Sequence, residues 1–250
     1  MSWAEIKKSI NSTLGTLNDK PLNDLVNEES YRNMYETALL FKKLGLDQND
    51  AMHHMGFDYY IGYPTTSAFH PFDETSKHIF VENGFKKIRD NYLAGSSISS
   101  IYMPPSIVEI GQSAFDRSEM LTSVNWSDNI KKISPAAFRG CSFRAFLSPS
   151  KLELIGAYGF ALNNNMTNAI IRTNANNLTI QDAAFYNCTN LDTVYIIVKN
   201  GTNLSISNNA FLGCENIMNI YLSCSPQEVS GAPWGAHNAT VHYNVKEVIE

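Results

Sequence analysis

The side chains best suited to chemistry in this sequence are six histidines and four cysteines. His53-His54 and the pair His70 and His78 bring imidazoles near one another in the chain, and such groups could ligate a metal or carry a proton. Adjacent residues point apart on a helix or a strand, however, and an eight-residue gap lacks the short spacing of a dedicated site, so surface or packing roles fit these histidines better. Cys141, Cys188, Cys214 and Cys224 are separated by 47, 26 and 10 residues, which matches no zinc-ligand pattern. The sequence lacks a nucleophile elbow, an H-E-x-x-H pair, a phosphate-cradling loop and a dinucleotide fingerprint. Glu109, Asp116 and Glu119 are scattered rather than paired. The expectation is a chain with no catalytic residue, no metal and no cofactor, and therefore not an enzyme.

Three of the cysteines occupy one place in a recurring unit, and that unit decides the fold. Ile-Gly-Gln-Ser-Ala-Phe at 110–115 returns as Ile-Ser-Pro-Ala-Ala-Phe at 133–138, Ile-Gly-Ala-Tyr-Gly-Phe at 155–160, Ile-Gln-Asp-Ala-Ala-Phe at 180–185 and Ile-Ser-Asn-Asn-Ala-Phe at 206–211, with Val-Ser-Gly-Ala-Pro-Trp at 229–234 as a terminal variant. Phe115, Phe138, Phe160, Phe185, Phe211 and Trp234 lie 23, 22, 25, 26 and 23 residues apart, the period of a stacked coil. A second pattern runs in phase, with apolar residues at the first, fourth and usually sixth place, as in Leu191, Val194 and Ile196 or Ile217, Ile220 and Leu222. Places four and six alternate inward as in a strand, and parallel stacking predicts one continuous sheet. The aromatic series supplies the structural core, with Ala114, Ala137, Gly159, Ala184 and Ala210 making room for it.

These units resemble the BspA-like leucine-rich repeats, which join an L-x-x-V segment to I-G-x-x-A-F and a following G-C or N-C. Here that tail is Arg139-Gly140-Cys141, Tyr186-Asn187-Cys188 and Leu212-Gly213-Cys214, and the close at 232–243 is similar as well. Ser118 and Asn163 depart from the pattern by replacing Cys. The fourth and fifth coils are longer, through Asn176-Asn177 and Asn200-Gly201-Thr202, which are expected to bulge from turns. The repeats and the resemblance together imply a β-rich leucine-rich-repeat solenoid of about six coils, each of 22–26 residues, over residues 96–244; with the mainly helical region that the spacing of apolar residues predicts before it, the chain is expected to be α+β.

Trp3, Ile6, Ile10, Leu14 and Leu17 recur three or four apart and predict an amphipathic helix within a docking segment, residues 1–30. Such a face either packs on the chain's own body or seals a neighbouring subunit. A second helix around residues 31–44 and an irregular aromatic stretch at 47–78 make residues 31–95 a connector or cap, and residues 245–250 a tail. Phe80-Val-Glu-Asn-Gly-Phe85 imitates the repeat and suggests a degenerate capping coil there. The first 25 residues or so resemble leaders on structural proteins of Gram-positive phages and prophages, which implies assembly with other virion subunits or self-association into a homo-oligomer.

A net charge of −5 without a basic cluster gives no reason to expect nucleic acid as a partner. No stretch approaches the roughly 18 apolar residues of a membrane span, and the first residues lack a secretory signal's apolar core, so no membrane insertion is expected. The sequons Asn165-Met-Thr167, Asn177-Leu-Thr179 and Asn203-Leu-Ser205 fit Asn/Thr-rich turns.

Between the buried strand places lies an outward stripe. Tyr102, Asn125, Asn168, Thr193, Tyr195, Asn219 and Tyr221 belong to it, and stacking would align them into a ladder suited to a host cell-surface glycan or protein. Tyr and Thr also satisfy strand propensity, so the stripe has a purely structural explanation beside the functional one. Two roles follow: a virion attachment or structural protein located in the virion, or a bacterial surface or adhesin-like interaction protein located outside the cell.

Overall fold

The computed structural model describes residues 59–61, 78–81 and 84–246. The chain divides into two units, Met1–Gly62 and Tyr63–Glu250. In the first unit the described structure is strand β1, Tyr59–Ile61. The helices expected over 3–17 and 31–44, the assembly face from Trp3 to Leu17, and His53, His54 and His70 lie outside the described residues.

The second unit is a stack of coils, each contributing a strand to either side. One side runs through β2 (His78–Phe80), β4 (Ser100–Tyr102), β6 (Ser123–Asn125), β8 (Ala145–Leu147), β10 (Asn168–Thr173), β12 (Thr193–Val198), β14 (Asn219–Leu222) and β15 (Thr240–His242). The other runs through β3 (Lys87–Ile88), β5 (Glu109–Ile110), β7 (Lys132–Ile133), β9 (Leu154–Ile155), β11 (Asn177–Ile180) and β13 (Asn203–Ile206), in that spatial order. The pairings are parallel, with Ile110 opposite Ile133 and Val194 opposite Ile220. Residues equivalent in the repeat thus become neighbours in space, which is why neither side can form from one coil alone.

Phe115, Phe138, Phe160, Phe185, Phe211 and Trp234 are fully buried. The five phenylalanines stack face to face from coil to coil at centroid distances of 4.9, 5.5, 5.4 and 5.3 Å. Each phenylalanine N–H donates to the following coil, as Phe138 does to the Gly159 carbonyl at 2.8 Å.

The turn after each phenylalanine needs left-handed backbone two residues on: Gly140 and Gly213 supply it without strain, while Arg117, Leu162 and Asn187 adopt φ of 56, 62 and 52°.

Three features depart from the expectations above. The stack begins before residue 96: His78, Ile79 and Phe80 pair with Ser100, Ile101 and Tyr102, and Ile88 pairs with Ile110. Leu93 takes the ring's place in this first coil and is buried, so the degenerate repeat is Ile88 to Leu93 rather than Phe80 to Phe85. Second, the first side is two sheets, β2-β4-β6 and β8-β10-β12-β14-β15. The break falls where Trp126 stands edge-on to Phe138 and Phe146 at 5.3 and 5.7 Å, and Val124 and Trp126, which hold the fourth and sixth places of their coil and so belong inside by the repeat pattern, are only half-buried. The bulk of these rings is wedged where the ladder would otherwise continue. Third, the extra residues of the fourth and fifth coils do more than bulge. Asn177 opens β11 and pairs with Asn203, so much of the added length becomes strand.

Candidate binding face

Within β8 to β15, parallel register brings outward side chains into rows. Asn168 pairs with Thr193, Thr193 with Asn219, and Asn219 with Thr240. The next outward row is Leu147, Ile170, Tyr195, Tyr221 and His242. Tyr195 and Tyr221 stack at 4.8 Å with their planes 13° apart, and the His242 ring continues the stack at 4.6 Å. An imidazole nitrogen of His242 lies 2.9 Å from Asn219 Oδ1, tying the two rows together. The Asn168 amide donates to the Thr167 hydroxyl at 3.0 Å, and the Thr193 hydroxyl donates to Asp192 at 3.1 Å.

Five of the seven residues proposed from the sequence therefore share one sheet: Asn168, Thr193, Tyr195, Asn219 and Tyr221. Tyr102 and Asn125 pair with each other on the separate sheet that contains β4 and β6 and do not extend this ladder. His242, whose strand β15 closes the sheet, is an addition. Its only sequence signal is the Val-His-Tyr alternation at 241–243, too short to fix a register.

A second addition comes from the length of β10 and β12. Their outward rows run on to Arg172 and Ile197, which are register partners. The Ser148 hydroxyl accepts the Arg172 N–H at 2.8 Å and donates to the Arg172 carbonyl at 2.7 Å. Ser223 does the same for Val198, at 2.9 and 3.0 Å. Ser148 stands where most coils carry an apolar residue, and this paired bond is the reason a hydroxyl serves there.

Among the described residues no group of His, Cys, Asp or Glu is arranged to hold a metal ion, and no helix is long and apolar enough to cross a membrane. All four cysteines are free and buried. Burial pushes the Cys141 and Cys188 thiols above their ordinary range and raises that of Cys224 as well. Asp116 holds Arg139 through two charge-assisted hydrogen bonds between neighbouring coils, raising the guanidinium's already high pKa.

Comparison with known proteins agrees with this architecture. The family profile described as "BspA type Leucine rich repeat region (6 copies)" matches residues 65–167 and 86–218. The match begins beyond the leader-like first 25 residues, so it lends no support to the phage resemblance. No curated protein sequence matches the chain significantly. A leucine-rich-repeat protein of T. pallidum shares 18% identity and a TM-score of 0.53, covering 74% of this chain and 85% of that one. One from Eubacterium ventriosum shares 14% identity over 72% of this chain and 71% of its own, with a TM-score of 0.44. The pneumococcal vaccine antigen PcpA shares 16% over 77% and 73%, with a TM-score of 0.31. With the profile spanning well over half of its length and the coils stacked in register, the chain belongs to the BspA-type leucine-rich-repeat family.

Proposed function

We propose that this chain is a non-enzymatic recognition protein of the bacterial-surface or adhesin-like kind, binding a glycan or protein through the outward face of β8 to β15. The observation that carries the reading is the stacked run Tyr195, Tyr221 and His242 beside Asn168, Thr193 and Asn219. Stacked aromatic rings are rigid and amphipathic, and amides and hydroxyls next to them adapt their hydrogen bonds to a partner. Repeat scaffolds generally present such rows for interaction. The virion reading would use the same face but requires the Trp3 to Leu17 segment as an assembly tag, and no match supports that segment, so the surface reading takes precedence.

The test is attachment of the labelled full chain to a glycan array and to cultured host cells. Tyr195→Ala combined with Tyr221→Ala is expected to weaken attachment about tenfold or more, as loss of two aromatic anchors does, while the thermal transition stays in place. Attachment equal to that of the unsubstituted chain would remove this face from the function.

A further inference from the structure

Beyond Tyr195, the ends of β10 and β12 open into a groove of about 460 Å³, within the range of roughly 300–1,000 Å³ typical of small-ligand sites. Arg172 and Lys199 line it together with Ile197, Thr173, Asn174 and Ser223, and no Asp or Glu is among the described lining residues. A chain of net charge −5 thus places two cationic side chains, Arg172 and Lys199, in one recess at the end of its aromatic ladder. The backbone beneath is fixed: the Ser148 hydroxyl clamps both backbone groups of Arg172, and Ser223 those of Val198. Lys199 Nζ donates to Asn176 Oδ1 at 2.7 Å, which engages one of an ammonium's three donors. Ile197 and Tyr195 lie on one face of β12, two residues apart, a rise of about 7 Å.

We propose that this groove and the adjoining tyrosines bind an acidic saccharide, with its carboxylate or sulfate on Arg172 and Lys199 and its ring against Tyr195. A guanidinium's planar fork suits either anion, and an ammonium adds a point charge beside it. Thr173, Asn174 and Ser223 offer the neutral hydrogen-bonding groups that a hydroxylated ring needs. An extended peptide is the weaker fit, because β10, β12 and β14 are each paired on both sides and offer its backbone no open edge. The inference rests on the binding-face reading above and names its ligand class.

Calorimetric titration of the full chain with 3′-sialyllactose, a sulfated heparin disaccharide, lactose, sodium sulfate and an oligoglutamate peptide tests it. The expected result is that at least one acidic sugar binds about tenfold or more tightly than lactose; tight binding of sialyllactose, whose only anion is a carboxylate, shows that a carboxylate suffices, and binding of the heparin disaccharide alone assigns the preference to sulfate. Arg172→Gln and Lys199→Gln, made separately, are each expected to reduce that preference about fivefold. Lys199 is exposed, so its variant keeps the test valid if Arg172→Gln fails to fold. Acidic sugars binding no better than lactose, sulfate or oligoglutamate binding as tightly as the sugars, or an unchanged preference in Lys199→Gln would each overturn the proposal. If acidic sugars fail while the double tyrosine variant still loses cell attachment, the face survives and this ligand class falls; if both fail, both readings fall.

Discussion

Asn163 shows how much one position of the repeat is asked to do. It is fully buried, and its amide donates to the carbonyls of Phe138 and Phe160, both at 2.8 Å. In other coils the same place is Ser118, donating to the Leu93 carbonyl, or Cys141, Cys188 and Cys214, donating to Phe115, Phe160 and Phe185. The series that looked like a cysteine motif with two lapses is a donor motif: each side chain supplies a hydrogen to the carbonyl of the residue at the ring position of the preceding coil, Leu93 in the first and a phenylalanine in the others. Removing a donor from a buried carbonyl costs about 1–3 kcal/mol. Asn163→Ala is therefore expected to lose about 1–3 kcal/mol in urea unfolding, since the Phe138 carbonyl loses its donor while the Phe160 carbonyl keeps the Cys188 thiol. Asn163→Cys, which restores the commoner donor, should lose measurably less; equal losses would show that amide volume rather than donation matters. Phe160→Ala removes a ring stacked on Phe138 and Phe185 and also packed on Phe143 and Phe146, and should cost about 3–5 kcal/mol in the same assay.

The coil itself is held by turns whose strain is uneven. Leu162 sits at a left-handed φ of 62° with its side chain 42% exposed, at the place where other coils use Gly140 or Gly213. A leucine there gains little burial and carries a left-handed penalty of roughly 1–2 kcal/mol. Asparagine tolerates this conformation, as Asn187 does at φ 52° one coil later. Leu162→Asn should raise stability by about 0.5–1 kcal/mol, read as a higher urea midpoint with unchanged slope. A lower midpoint would mean that the exposed leucine is packed more usefully than its accessibility indicates. The interrupted first side makes the same point about elements: Trp126, Phe143 and Phe146 fill the interior with rings, and the cost is one missing ladder step between β6 and β8.

A linear array shares its stability between neighbours, so its terminal coils open more readily than its central ones. The cysteines report on this. Cys141 and Cys188 lie in central coils with thiols raised by burial, and Cys224 lies near the last strand, less deeply enclosed. Because the thiolate is the reactive form, iodoacetamide at pH 8 should modify Cys224 first and leave Cys141 and Cys188 untouched until denaturant is added. Simultaneous modification of all three would indicate a single all-or-none opening. The same shifts carry a pH consequence. The folded thiols stay protonated above the ordinary value of 9.0 at which unfolded ones ionise, so their contribution is full below that pH and declines as pH rises past it. Replacing Cys141 with serine should flatten that decline, as measured by urea midpoints from neutral to alkaline pH.

The repeat period, the buried rings and the outward stripe were legible in the sequence because equivalent side chains recur in phase, and parallel stacking converts phase directly into contact. The N-terminal faces drawn from residues 3–17 have no counterpart among the described residues. Three-dimensional packing alone decided the rest. It set the stack's beginning near His78, where Leu93 replaces a ring and no motif announces it, and it parted Tyr102 and Asn125 from the other ladder residues through the bulk of Trp126 and Phe146. It also brought His242 onto Tyr221 and carried Arg172 to the mouth of a groove. Periodicity specifies which residues share a row; which rows touch, and where they stop, depends on side-chain volumes and strand lengths that are settled only when neighbouring coils meet.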